Sequence, residues 1–532
     1  MNILKIILLN LLLVGFTYAN TLKEEANSLI TNSFKNKEKA ILNLTSKYST
    51  NDNLEEILQA VLEGKLYYTK EDKSLVFLKE KIENEYLTVE VFSKKTLDKK
   101  SKYDFKKIKI NNKLRSVIKE SLAKLNLFSK NEDKRLKSAK NLLKNLDVKN
   151  QALVLEALNK EKSSDVKEVL EEIKTNLDAK YASTKEKQIE ATKKLGEFLS
   201  SKSLQTLNEI KNSSEDKVLV QTAQKSIKSI ESSKSFYSFI ETAFFGLSMG
   251  SVLLLAAIGL AITFGVMKVI NMAHGELIMI GAYTTYTIQQ VMPGLIEYSV
   301  LIAIPAAFIV SGIVGILIER LVIRHLYGRP LETLLATFGV SLILQQLVRT
   351  IYSPLNQEVK TPSWMSGALE VNSTLFLTYN RLYIIIFAFA VFLAILFVMK
   401  KTSLGLKVRA VSQNRPIARA MGIKSNYIDA ITFGIGSGIA GVAGVALSQL
   451  TNVGPNLGQA YIVDSFMVVV FGGVGNLWGT FIAALTLGEI NKFIEPVSGA
   501  VLAKVIILVF IILFIQKKPR GLFPQKGRDV ED

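Results

Sequence analysis

The 532-residue chain is expected to fold as an all-α polytopic membrane protein of about eight or nine transmembrane helices, preceded by a periplasmic domain of mixed β-hairpin and then HEAT-like helical repeats. Three observations carry that expectation. From Ala243 to Met267 an apolar run long enough to cross about 30 Å of hydrocarbon carries Gly246, Gly250, Ser251 and Gly259 at the small-residue spacing that lets membrane helices approach closely. It leads directly into a polar hexapeptide, Asn271 to Glu276, which sets a His and a Glu at the mouth of the next apolar run. The composition, 48% hydrophobic with a net charge of +19, averages two unlike halves: a lysine-rich stretch over 20–236 and an oily stretch beyond it.

The elements follow in chain order. Residues 1–19 have the layout of a secretory signal peptide: Lys5, an apolar run from Ile6 to Phe16, then Thr17-Tyr18-Ala19, with cleavage before Asn20. An uncleaved anchor helix is the alternative, although the run is short for a span. Residues 20–236 then form the periplasmic domain. Over 20–110 it is mixed, with a helix at Leu54–Leu62 ended by Gly64 and two or three antiparallel strands among Leu66–Tyr68, Ser74–Leu78 and Tyr86–Phe92. Over 111–236 the period becomes helical. Two helix pairs look alike there, Gln151–Lys160 with Asp165–Leu177 and Leu204–Lys211 with Asp216–Ile230, which suggests a small HEAT-like solenoid or a plain bundle.

Residues 237–516 form the transmembrane domain and 517–532 a cytoplasmic tail. Membrane segments are expected at Ala243–Met267, Met272–Met292, Tyr298–Ile318, Leu331–Ile351, Leu382–Met399, Ile428–Leu450, Tyr461–Gly473, Thr480–Phe493 and Val501–Ile515. The seventh and eighth are short and glycine-interrupted, so a re-entrant hairpin is the alternative. Cations gather after the first, third, fifth and ninth: Lys268; Arg320, Arg324 and Arg329; Lys400, Lys401, Lys407, Arg409, Arg415, Arg419 and Lys424; Lys517, Lys518, Arg520, Lys526 and Arg528. By the positive-inside bias these loops and the carboxyl terminus are cytoplasmic, in a bacterial inner membrane.

The residues exclude several chemistries. No GxxxxGK[ST] loop is present to cradle a nucleotide, and arginines are too few in the lysine-rich half for a nucleic-acid face. There is no cysteine, and the two histidines, His274 and His325, lie in different loops, so no metal site, cofactor or catalytic residue is expected. Buried carboxylates are too sparse for an ion-driven carrier, which leaves the energy source to another subunit. His274, Gly275 and Glu276 are expected to fix the junction between the first two membrane helices, close to a gate, with the Glu276 carboxylate meeting free backbone N–H groups at the helix start. In the loop over 400–426, Pro416 to Ile423 should form a short helix stopped at Gly422, stiff enough to pass a rigid-body motion to its neighbours.

The runs Gly246-Leu247-Ser248-Met249-Gly250-Ser251, Asn271 to Glu276, Met421-Gly422-Ile423 and Phe471 to Gly479 resemble the permease family of branched-chain amino acid ABC importers over the whole membrane half. Within that family the outer domain, from Leu66-Tyr67-Tyr68 and Ile108–Arg115, is similar to the urea-importing permeases. The resemblance implies a permease subunit forming half a pore in membrane lipid. It also implies a second permease, two cytoplasmic ATPases that bind the ATP, and a periplasmic solute-binding protein as partners. Arg409, Pro416, Ala418, Arg419 and Gly422 correspond to the loop through which such permeases dock on their ATPase, although the acidic residue of that pattern is absent. Urea, small and neutral, would need hydroxyls and amides along its path, and Ser248, Thr263, Asn271, Gln345, Gln346 and Asn476 are the candidates. Gly246, Gly250, Gly434, Gly438 and Gly441 are candidate close-packing positions, either within the subunit or against the second permease. Import of branched-chain amino acids or short amides, and a membrane-anchored sensor or scaffold, are the competing readings.

Overall fold

The computed structural model describes residues 22–48, 52–82, 85–372 and 374–523; the expected signal peptide and the cations Lys526 and Arg528 lie outside the described residues. Two compact units are divided between Ser233 and Lys234.

The first unit opens with helices α1 (Phe34–Lys47) and α2 (Asp52–Glu63), followed by an antiparallel sheet of β1 (Leu66–Thr69), β2 (Leu75–Ile82), β3 (Glu85–Glu90), β4 (Thr96–Ser101) and β5 (Phe105–Lys107) in the order β4-β3-β2-β1-β5. Leu66 pairs with Phe77 and Tyr67 with both Val76 and Lys107. The expected two or three strands are therefore five. The two missed strands are the sheet edges, Thr-Leu-Asp-Lys-Lys-Ser and Phe-Lys-Lys; lysine-rich edges discourage further pairing and also hide the strand signal. Leu29, Ile41, Leu44, Ile57, Leu58, Leu66 and Leu75 form the core beneath, each worth about 1.5–3 kcal/mol when fully buried.

Six helices follow: α3 (Asn112–Leu127), α4 (Glu132–Lys144), α5 (Gln151–Lys160), α6 (Ser164–Tyr181), α7 (Lys185–Leu195) and α8 (Ser201–Ser213). Side-chain caps start three of them, with Asn111, Asn131 and Ser200 accepting from the N–H groups of Leu114, Lys134 and Ser203. A two-pronged ion pair between Arg135 and Glu161, 2.9 Å on each arm, ties α4 to the α5–α6 turn. In α6, Glu172 is buried and accepts hydrogen bonds from the Ser200 and Ser203 hydroxyls. Burial pushes its carboxyl above the ordinary glutamate range, and the two serines only partly oppose that.

Beyond α9 (Lys217–Met267), the second unit contains α10 (His274–Val291), α11 (Ser299–Leu321), α12 (Pro330–Tyr352), α13 (Tyr379–Lys401), α14 (Ser403–Gln413), α15 (Arg415–Ala420), α16 (Ser425–Ser448), α17 (Leu457–Gly472), α18 (Leu477–Ser498) and α19 (Ala500–Lys517), with a small hairpin of β6 (Ala368–Glu370) and β7 (Phe376–Thr378). Every expected membrane segment is a helix, yet among the described residues six are long and apolar enough to cross a membrane: α9, α11, α12, α13, α16 and α19. Three of the nine expected segments fall short of that measure, α17 because it is short and α10 and α18 because they carry polar groups such as Glu276, Gln289, Glu489 and Lys492.

Burial sorts the spans. The apolar stretches of α9 and α16 are 89% buried, against 28% for α12 and α13 and 17% for α19. Two helices can be so enclosed because their neighbours come close. A side chain at Gly281 of α10 would collide with the Gly441 carbonyl of α16, and one at Gly444 with the Ile278 carbonyl. Such backbone approach is the way membrane helices gain packing when lipid is as apolar as they are. Gly434, Gly438 and Gly441 likewise face α11, and Gly246 and Gly250 face α18, all within this chain.

Candidate functional site

Two constellations occupy the second unit. The first is the junction between α9 and α10. After Met267 the backbone turns through Lys268, at φ +54°, and the Asn271 side chain accepts from the Ala273 N–H at 3.0 Å. His274 is fully buried, its Nε2 lying 2.9 Å from the Ala256 carbonyl. A carbonyl can only accept, so Nε2 carries the proton. Glu276 does not cap its own helix as the local sequence suggests. Its Oε1 accepts from Ser341 Oγ at 2.9 Å and from Gln345 Nε2 at 2.8 Å, both on α12. The Met272 N–H donates to Thr337 one turn away. Among the described residues Glu276 Oε2, His274 Nδ1 and Asn271 Nδ2 are buried with no hydrogen-bond partner. A polar knot of this kind inside a membrane domain is high-stakes: satisfied bonds fix the geometry, and the stranded atoms hold desolvation energy.

The sequence offers Gln345 as a path residue and not as a partner of Glu276, and it singles out neither Thr337 nor Ser341. The signal was there: Thr333, Thr337, Ser341 and Gln345 recur at four-residue spacing on an otherwise apolar helix, and all four are buried. The remaining path candidates are dispersed. Ser248 is buried, and its hydroxyl has no partner among the described residues. Thr263 bonds back to the Gly259 and Leu260 carbonyls of its own helix. Asn476 caps α18 through the Trp478 and Gly479 N–H groups and donates to the Phe523 carbonyl. Gln346 is exposed on α12 among Leu342, Ile343 and Leu347.

The second constellation is the α14–α15 loop. Thr402 caps α14, and Asn414 caps α15, whose second residue is Pro416. The stop at Gly422 has both bonds of a left-handed glycine terminus: Gly422 N–H to the Arg419 carbonyl at 2.9 Å and Ile423 N–H to the Ala418 carbonyl at 3.0 Å, with φ +83° at the glycine. Ala418 is buried, whereas Leu406, Ile417 and Met421 are exposed. Arg419 reaches Ser425 and Asn426 at the start of α16, and the Arg409 guanidinium bonds the Met399 carbonyl. Arg415 makes the strongest link. It forms a two-pronged pair with buried Asp429 of α16, at 2.6 and 2.9 Å, and its guanidinium lies 4.0 Å from the centre of the Tyr327 ring. Neither Asp429 nor Tyr327 stood out in the sequence; an Asp one turn into an apolar helix, close behind a cluster of arginines, was the available sign.

The sequence pattern of the branched-chain amino acid transport system permease component matches residues 242–515. The chain belongs to that family. The high-affinity branched-chain amino acid permease protein BraD of Pseudomonas aeruginosa is 30% identical over 295 residues, which are 54% of this chain and 96% of BraD. LivH of Escherichia coli is 30% identical over 301 residues, covering 54% of this chain and 97% of LivH. The ribose import permease RbsC of Escherichia coli is 26% identical over 236 residues, covering 42% of this chain and 71% of RbsC. No solved structure matches the chain. In this branched-chain permease relative, junction and loop both fall inside the matched segment. The chain is thus a multi-pass membrane permease subunit, and residues before 242 lie outside the matched segment. The urea cargo expected from the sequence has no counterpart in these relatives, which carry the names of branched-chain amino acids and ribose.

Proposed function

We propose that the chain is half of the translocation pore of an ABC importer for branched-chain amino acids, driven by separate ATPases that push on the α14–α15 loop. The observation that carries this reading is the loop itself. A capped, glycine-stopped pair of short helices presents Leu406, Ile417 and Met421 outward, while Arg415 bolts it to α16, one of the two most enclosed helices. An exposed apolar tip on a rigid base is suited to receive a force and pass it on. In this arrangement the loop faces the cytoplasm, the first unit stands in the periplasm where a solute-binding protein would meet it, and the exposed face of α12 with Gln346 turns toward the second permease. The glycine contacts serve the interior of the subunit.

Branched-chain amino acids are favoured over urea because the relatives that span the membrane unit are named for them. Uptake of labelled leucine and of labelled urea, in cells deleted for this chain and then complemented, tests both. Leucine uptake should fall on deletion and return on complementation. Loss of urea uptake alone would transfer the cargo to urea, and no change in either would remove the importer reading.

A further inference from the structure

One cavity of the second unit belongs neither to the junction nor to the exposed tip of the loop. It has a volume of about 810 Å³ and lies between α9, the end of α13, α14 and the turn at Gly475. Its lining sets apolar Val266, Leu396 and Val408 beside polar Ser412, Gln413 and Asn476, and it carries Lys400, Arg409 and Trp478. Among the described residues no carboxylate lines it. We propose that this cavity holds the headgroup of an anionic phospholipid, with an acyl chain laid along α13.

Three observations converge on that occupant. The charge is one-sided: the bond to the Met399 carbonyl holds Arg409 at the rim by one donor, and a guanidinium has four further N–H groups for phosphate oxygens. Lys400 adds a second cation, exposed and without an ion pair among the described residues. The surface leading away from the cations is apolar, since Leu393 and Phe397 are 60% and 64% exposed and fall on the face of α13 that ends at Lys400. Finally, Trp478 is 47% exposed although its ring packs edge-on against Phe392, 5.3 Å between centres; half-wet, half-apolar indoles belong at the headgroup level of a bilayer. A free amino acid or inorganic anion would use the cations and leave the apolar track empty. The inference rests on membrane insertion alone and stands whichever solute is carried.

The chain contains two tryptophans, so the Trp364→Phe protein carries Trp478 as a private reporter. The full-length purified protein is titrated in mixed micelles with phosphatidylglycerol or phosphatidylcholine bearing brominated acyl chains, and quenching of Trp478 is followed. Phosphatidylglycerol should quench at lower lipid fraction, and Lys400→Gln or Arg409→Gln should each raise the amount needed about fivefold, as expected for one basic residue at an anionic surface. Identical curves for the two lipids would overturn the proposal. So would loss of the preference in millimolar inorganic phosphate, which would assign the site to a free anion. Native mass spectrometry of the unsubstituted protein gives an independent reading: retained phosphatidylglycerol supports the site, and equal retention of both lipids refutes it.

Discussion

Glu276 is held by a hydroxyl and an amide from another helix, so what it supplies to the fold is an acceptor oxygen. Glu276→Gln keeps such an oxygen and should leave the melting temperature of the detergent-solubilised protein nearly unchanged. Glu276→Leu leaves the Ser341 hydroxyl without its acceptor and Gln345 with only its 3.1 Å bond to Ser341 Oγ, at about 1–3 kcal/mol for a buried group left without a partner, and should lower both melting temperature and yield. Equal losses for the two would show that charge, and not acceptance, is what the junction requires. At Gly422 the backbone sits at φ +83° with open space around it. Any effect of Gly422→Val is therefore strain, about 1–2 kcal/mol for a left-handed L-residue and more for a β-branched one. Protein level should hold while ATP-dependent uptake falls; normal uptake would remove the loop from the mechanism. At this scale the sequence was legible where the rule is local. The glycine stop is written in neighbouring residues, whereas the partner of Glu276 lies 65 positions away, and a rule about acids at helix starts pointed to the wrong donors.

Among elements, the link between α15 and α16 is a buried ion pair, and such a pair affects stability and mechanics differently. Asp429→Asn alone leaves Arg415 without its counter-charge, a change worth about 3–5 kcal/mol, and should destabilise the protein. The double variant Arg415→Met with Asp429→Leu should recover most of that melting temperature while uptake stays low, because the bolt is gone. Recovery of uptake together with stability would show that packing suffices. In the first unit, Glu172 sits at the contact of α6 with the start of α8. Its carboxyl titrates above the ordinary range in the fold, so the fold favours the protonated form. Its contribution is fully present below the unfolded-state value and is lost as pH rises through the folded one. Glu172→Gln should accordingly raise the melting temperature at pH 7, and the gain should vanish in acid. A gain independent of pH would point to side-chain packing. The sequence showed the helices of both units well, since their apolar periods are long. It under-read the sheet, whose edge strands are made of the residues that discourage strand pairing.

For the whole molecule, the division into a lysine-rich unit and an oily unit was legible from composition because bilayer and water select opposite side chains. Its orientation can be checked with a reporter active only in the periplasm. Fused after Lys234 it should be active, and fused after Lys518 silent; a silent fusion at Lys234 would reverse the assignment of the first unit. The cargo was not legible in the same way. The hydroxyls and amides that suit urea, Ser248, Thr263, Asn271 and Gln345, are buried inside one chain, and a list of polar residues cannot tell a pore lining from an internal bond. Gln346 is different in being exposed on an apolar face, a distinction that only the fold supplies.

The sheet order also sets a timetable for synthesis. Strands β1 to β4 pair each with the next, so their hairpins can form one after another as the chain emerges. β5 returns to lie beside β1, and the pairing of Tyr67 with Lys107 cannot begin until both are available. Until Phe105–Lys107 arrives, β1 waits with one side open, and a non-local closure of this kind is the slow, association-prone step of a folding sheet. Pausing translation while that strand is still held in the ribosomal tunnel or the export channel should therefore expose the chain already emerged to chaperones or to self-association, whereas a pause after the strand has emerged should not.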